Sequence, residues 1–182
     1  MAVHNVTLEH TIATLLEAKR YSTIKDILVT INGADIAAVF STLDEDTLPL
    51  LFRLLPKELA AETFAEMESD AQELLIRGFS DKELKEVVNE LFVDDAADLV
   101  EEMPASVVNR ILEQADPEFR KEINEMLRYP EDSAGSIMTT EYVALRPDMT
   151  VEEAILRIRR QGVDKETIYT CYVTVGRALR GI

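Results

Sequence analysis

Apolar residues in the first two-thirds of the chain return every three or four positions, and the stripes they make return in turn at fixed longer intervals. Ile24, Ile27, Leu28 and Ile31 form one stripe; Leu48, Leu51, Phe52 and Leu55 repeat it 24 residues later, and Leu84, Val87, Val88 and Leu91 repeat it after a further 36. The blocks that follow shift with them. AAETFAEM (Ala60–Met67) maps onto AADLVEEM (Ala96–Met103) at a shift of 36 and onto IAAVFSTL (Ile36–Leu43) at a shift of 24 in the other direction. Spacing of this kind marks one face of an amphipathic helix. Shifts of 24 and 36 share a unit of 12, about one short helix plus its turn. Each such helix is unable to bury its apolar face alone, so the pattern predicts stacked short helices winding into a solenoid. An irregular bundle of similar amphipathic helices is the alternative. Helices are predicted over 7–18, 21–31, 34–43, 45–54, 57–67, 70–78, 81–91, 94–102, 105–114 and 117–128.

The charge sits on this helical part. Of 35 Asp and Glu and 19 Lys and Arg in 182 residues, residues 1–128 hold 27 acids and 12 bases, and residues 129–182 hold 8 and 7. A segment at −15 repels nucleic-acid phosphates and anionic lipid heads, and attracts cations and basic surfaces. The hydrophobic share of 47% is that of a globular chain and too high for a disordered acidic tail. One cysteine, Cys171, excludes a disulfide framework and a cysteine-based zinc site, in keeping with a cytosolic setting. No apolar run approaches the length of a membrane span, and the first residues lack the basic and apolar regions of a secretory signal.

The texture changes at Tyr129-Pro130. Glu131-Asp132-Ser133 and Gly135 carry turn chemistry, Val143-Ala144-Leu145 reads as a short strand, and Thr150 with Glu153 reads as a capping box. The helix VEEAILRIRRQG then runs to Gly162 as its stop, and ETIYTCYVTV reads as a strand followed by a turn near Gly176. The expected organisation is a helical domain over 1–128, a linker over 129–136 and an incomplete β-α-β domain over 137–182. A second strand without further partners implies a piece of a longer polypeptide.

Candidate chemistry is concentrated in VDDAADLVEE. Asp94 and Asp98 share one helix face, Asp95 lies about 100° round, and Asp94 or Asp95 falls where an N-cap belongs. One reading is a cap with solvated neighbours. The other follows from the repeat, in which Glu62 is equivalent to Asp98, so that the two share a side of the stack. Hard oxygen donors without His or Cys suit Mg²⁺ or Ca²⁺. The spacing is not that of an EF-hand loop, which favours a partly hydrated, weakly held Mg²⁺. Glu131, Asp132 and Ser133 offer a further oxygen-rich turn. His4 and His10 lack a third ligand, and Cys171 reads as a buried structural thiol. No nucleophile elbow, phosphate loop or paired carboxylates in a pocket are present, so the chain does not read as an enzyme.

Glu131–Gly135, Met138-Thr139, Glu141–Ala144, Thr150–Ala154 and Glu166–Tyr169 stand in an order and spacing that closely resemble the junction between the N-terminal and first CBS domains of MgtE-type magnesium transporters. LLPKELAAE and DDAAD upstream also resemble that family's N-terminal domain. The resemblance implies a mainly α fold, a right-handed superhelical stack of short helices, followed by a partial α/β CBS domain. It implies homodimeric magnesium transporters or channels of the inner membrane, with this part on the cytoplasmic face, joined to a CBS pair, a connecting helix and a transmembrane pore that cytosolic Mg²⁺ closes. Carried over by motif, the Mg²⁺ ligands are Glu62, Asp94, Asp98 and a backbone oxygen at Ser136, with Asp95 as a further candidate. The chain departs from the family by stopping at Ile182, before the rest of the CBS pair and the Gly-x-Ser/Thr-x-x-Asp element that holds a ribose. TVGRALRG also lacks the acidic turn usual after this strand. Two other readings remain: an ion-independent scaffold for a basic protein partner, as in motor-switch repeats, and a CBS-type nucleotide sensor.

Overall fold

A computed structural model describes residues 2–130 and 133–182. Among these, ten helices run in order to residue 126: α1 (Ala2–Glu17), α2 (Tyr21–Leu28), α3 (Gly33–Phe40), α4 (Thr47–Phe52), α5 (Lys57–Ala65), α6 (Ser69–Gly78), α7 (Asp81–Val88), α8 (Val93–Glu102), α9 (Ala105–Gln114) and α10 (Pro117–Met126). All ten were expected from the periodicity. The starts of α3, α5, α7 and α9 at 33, 57, 81 and 105 are 24 residues apart, and those of α6, α8 and α10 at 69, 93 and 117 keep the same interval. The 12-residue unit is therefore one helix and its turn.

Packing follows the interval. The contacts of α1 on α3, α3 on α5, α5 on α7, α7 on α9 and α4 on α6 join a helix to the one two places along, while α1 also packs on α2 and α6 on α9. The equivalent positions are buried in each copy: Ile36, Ala37, Val39 and Phe40 in α3, Ala60, Ala61, Thr63 and Phe64 in α5, and Ala96, Ala97, Leu99 and Val100 in α8. The alanine at the second of these positions in every copy, and at the first in α5 and α8, lets helices approach closely, and the following pair fills the space between. Phe52, set 6.2 Å from Phe64 and 5.5 Å from Phe79 between ring centroids, packs against both.

Polar links tie further pairs of helices. Ser80 and Glu83 form a reciprocal capping box at the start of α7. Arg53 donates to Glu83 at 2.7 Å, and its guanidinium together with the Ser80 bonds lowers the Glu83 pKa to about 2. Lys57 pairs with Glu90, and Lys85 with Asp116 at 2.6 Å. Gln72, buried, donates to the carbonyl of Phe64 at 2.8 Å. Arg110 of α9 makes the densest link. Its guanidinium donates to the carbonyls of Ile76 and Phe79 at the end of α6, where helical carbonyls lack partners, and to Asp81 at the start of α7.

The chain divides into two compact units, residues 1–91 with 95–122, and residues 92–94 with 123–182. The second contains β1 (Ala144–Leu145), α11 (Val151–Gln161), a 3₁₀ turn (Gly162–Asp164), β2 (Tyr172–Val175) and β3 (Ala178–Gly181). The strand order is β1-β2-β3, with β1 parallel and β3 antiparallel to β2. Thr150 and Glu153 form the expected capping box. Gly162, with a right-handed φ of −72°, is the C-cap at which α11 stops, as expected, and leads into the 3₁₀ turn. Two features differ from expectation. The second strand is confined to its last four residues, because β1 is two residues long and pairs only Tyr172 and Val173, leaving 166–171 without a ladder. Gly176, at φ +58°, turns the chain back into β3, which supplies β2 with a partner that the sequence reading left out. Glu131 and Asp132 lie outside the described residues.

Replacing Arg110 by Met lowers unfolding stability by about 2 kcal/mol in urea, because charged hydrogen bonds to carbonyls at a helix end are lost. The same change at Lys82, whose pair with Glu86 is solvent-exposed, costs less than about 0.5 kcal/mol. Equal effects at the two positions would contradict the role given to Arg110.

Candidate cation-binding site

The acidic candidates stand on helix faces that point away from the buried rows. In α5, Ala60, Ala61, Thr63 and Phe64 face inward and leave Glu62 exposed. One of its oxygens, Oε1, accepts the backbone N–H of Gly33 at 3.2 Å, at the first turn of α3. In α8, Ala96, Ala97, Leu99 and Val100 are buried, Asp94 and Asp95 half-buried and Asp98 exposed. The helix begins at Val93, so neither Asp94 nor Asp95 is its N-cap. They occupy its second and third positions, where the unpaired N–H groups and the positive end of the helix dipole favour a carboxylate.

Asp98, a turn further on, lacks that support. Partial burial of its carboxyl, and then the charge of Glu102 four residues along the same face, raise its pKa above the ordinary aspartate value. A carboxylate held in an unfavourable setting is one that a cation relieves. Ser136 lies in the turn after the described gap. Its N–H and hydroxyl both donate to the carbonyl of Ser133, at 3.2 and 2.9 Å. The Tyr129 ring lies against Gly135, where a Cβ would stand 2.2 Å from its Cδ1 and the ring would have to shift.

The described residues contain no group of three or more His, Cys, Asp or Glu placed to hold a metal ion. Glu62 belongs to the row α3–α5–α7, and α8 is not among the helices in extensive contact with α5. The shared side of the stack expected for Glu62 and Asp98 is therefore not a ready-made cage. The donor types, carboxylates and a backbone oxygen without imidazole or thiolate, are those that Mg²⁺ takes. Larger clefts lie elsewhere. One of about 330 Å³ is lined by Phe52, Arg53, Lys57, Phe79 and Glu83, and another of about 410 Å³ by Met149, Leu156, Arg157 and Arg160; neither includes a candidate ligand. Cys171 is half-buried just before β2, with Sγ 3.9 Å from the carbonyl of Ile168, which corrects its reading as a buried strand thiol.

Sequence reasoning missed the Gly33–Glu62 bond, which spans 29 residues. The Asn-Gly pair at 32–33 was the only local signal for it.

Short helices stacked at a 12-residue interval, with carboxylates on their outer faces, define an acidic helical-repeat module. Residues 31–132 match the MgtE intracellular N domain, and the chain belongs to that family. It is 36% identical over 154 residues to the magnesium transporter MgtE of Thermus thermophilus, covering 82% of this chain and 34% of that protein. To the magnesium transporter MgtE of Bacillus subtilis it is 24% identical over 174 residues, covering 94% and 39%. The chain thus spans between a third and two-fifths of the length of these curated relatives. A crystal structure of the cytosolic domain of the Mg²⁺ channel MgtE in complex with ATP superposes with a TM-score of 0.78 at 34% identity, over 91% of this chain and 69% of that one. The soluble part of a magnesium transporter gives a TM-score of 0.84 at 24% identity, over 94% and 68%, a likeness of fold. No helix among the described residues is long and apolar enough to cross a membrane.

The raised Asp98 pKa has a sign that can be measured. A folded-state pKa above the unfolded one means that stability falls as pH rises between the two and stays lower at neutral pH. Asp98→Asn in EDTA therefore raises stability at pH 7 by a small amount that solvent screening limits, and the gain vanishes below the ordinary aspartate pKa. Urea titrations of both chains at pH 3 and pH 7 check this; a loss at pH 7 contradicts it.

Proposed function

We propose that this chain is the Mg²⁺-sensing cytosolic part of an MgtE-type magnesium transporter or channel. Residues 1–128 are its N domain, 129–136 a linker and 137–182 the beginning of the first CBS domain. It works at the cytoplasmic face of the cell membrane, within a homodimeric parent that also carries the remaining CBS pair and the transmembrane pore. Glu62, Asp94 and Asp98, with Asp95 and a backbone oxygen at Ser136, supply ligands to Mg²⁺. The observation that carries the reading is the family match over 31–132, which contains Glu62, Asp94 and Asp98. Support for the CBS assignment comes from α11, none of whose residues is buried, and whose Ile155 and Leu156 are exposed as on a helix that further chain covers.

The mechanism is electrostatic. Two facing carboxylates about 6 Å apart at an effective dielectric near 20 repel by about 3 kcal/mol. Mg²⁺ between the N and CBS domains turns that repulsion into bridging attraction, so the closed arrangement binds more ions than the open one. Differential affinity of this kind is all that a ligand can use to shift a conformational equilibrium, and it is what closes the pore. Several weak sites acting together respond more steeply than one.

A second reading, nucleotide sensing, is favoured by the ATP bound in one similar structure. A single experiment separates the two. Trypsin cuts after Arg128, beside the linker, and Mg²⁺ slows that cut in the wild-type chain while ATP in EDTA does not. Combining Glu62→Gln, Asp94→Asn and Asp98→Asn raises the Mg²⁺ midpoint at least about tenfold. Unchanged protection in the triple variant contradicts the assignment, and protection by ATP alone favours the nucleotide reading.

A further inference from the structure

The contact between α3 and α5 is closest at Gly33. A Cβ on this residue would lie 2.7 Å from Cγ of Glu62 and 2.9 Å from both the carbonyl carbon of Glu62 and the nitrogen of Thr63. Two of those three atoms are backbone, which a rotamer change cannot move aside. The requirement for glycine is therefore one of space, as Gly33 sits in the right-handed first turn of α3. The approach brings the Gly33 N–H to Oε1 of Glu62 at 3.2 Å. This N–H is one of the donors that a helix start leaves without a partner, and Asn32 already caps the turn by accepting the N–H of Asp35 at 2.8 Å. Glu62 thus completes the start of a helix 29 residues away with one oxygen.

A glutamate free to rotate loses rotamer entropy when it grips an ion, and an oxygen already fixed reduces that loss. Hydrogen bonds to a ligand's outer atoms orient metal sites in this way. We propose that Gly33 is a positioning residue for the cation site: its N–H holds Oε1 of Glu62, and its missing side chain lets α5 come near enough for Oε2 to face the ion. The proposal rests on the Mg²⁺ reading of Glu62. Thr63 supplies a control for packing alone. It is fully buried in the same contact, its hydroxyl has no hydrogen-bond partner among the described residues, and Val would fill the same space.

The test uses the 182-residue chain and MgCl₂, with tryptic cleavage after Arg128 as one readout and the ¹H–¹⁵N signal of Gly33 as the other. In the wild type the Gly33 amide signal moves during the titration with the same midpoint as protection. Gly33→Ala raises the protection midpoint about tenfold, whereas Thr63→Val leaves it in place. A folded Gly33→Ala chain with a wild-type midpoint overturns the positioning role. If that variant does not fold, the wild-type amide decides: movement with the Mg²⁺ midpoint supports the role, and a Gly33 signal unmoved at saturation overturns it. Glu62→Gln separates the two levels. A wild-type midpoint in that variant overturns the Mg²⁺ reading of Glu62 and the role of Gly33 with it. A tenfold shift in Glu62→Gln beside none in Gly33→Ala overturns the positioning role alone.

Discussion

A helix of eight to ten residues is unstable in water, because its few hydrogen bonds do not offset the cost of nucleation. Eight of the ten helices before residue 127 are this short, and one, α4, is shorter still. Their existence depends on burying an apolar face against neighbouring helices, in several cases the helix two places along. That constraint sets the 12-residue interval, since each unit must bring the same face back to the same side, and it sets which residues can be acidic. Positions equivalent to Ala60, Ala61 and Phe64 are taken by the core. The position between them, Glu62, is left to solvent, as is Asp98 in α8.

The same constraint explains how so acidic a segment stays folded. Several of its few bases are placed where they join helices, as in Arg53–Glu83, Lys57–Glu90, Lys85–Asp116 and Arg110–Asp81. With 12 bases against 27 acids in residues 1–128, this still leaves a large surplus of negative charge on the outer faces. Asp98 illustrates the consequence, with a pKa raised by partial burial and by Glu102. A surface that tolerates such groups gives up some stability, and the proposed function puts that charge to use in binding Mg²⁺.

What the sequence disclosed was whatever is local. The three-four spacing located ten helices, and the Thr150/Glu153 box fixed the start of α11 to the residue. Long-range choices left no such mark. Nothing beside Arg110 says that it will reach the end of α6, and nothing beside Gly33 says that a glutamate from α5 will take its N–H. The reach of the second strand failed for a related reason. Residues 166–171 have strand propensity, but a strand also needs a ladder, and β1 is too short to provide one there. At the site, residue type and motif pointed to Glu62, Asp94 and Asp98, while their mutual placement depends on which helix rows they join.

The proposed function holds that negative charge on this helical module keeps it apart from its neighbour until a divalent ion bridges them. Small-angle scattering of the 182-residue chain in EDTA, in MgCl₂ at tens of millimolar, and in KCl of matched ionic strength tests this most directly. The account predicts a smaller radius of gyration in MgCl₂ than in either other solution, since screening alone does not bridge carboxylates. Identical curves in MgCl₂ and KCl would contradict it.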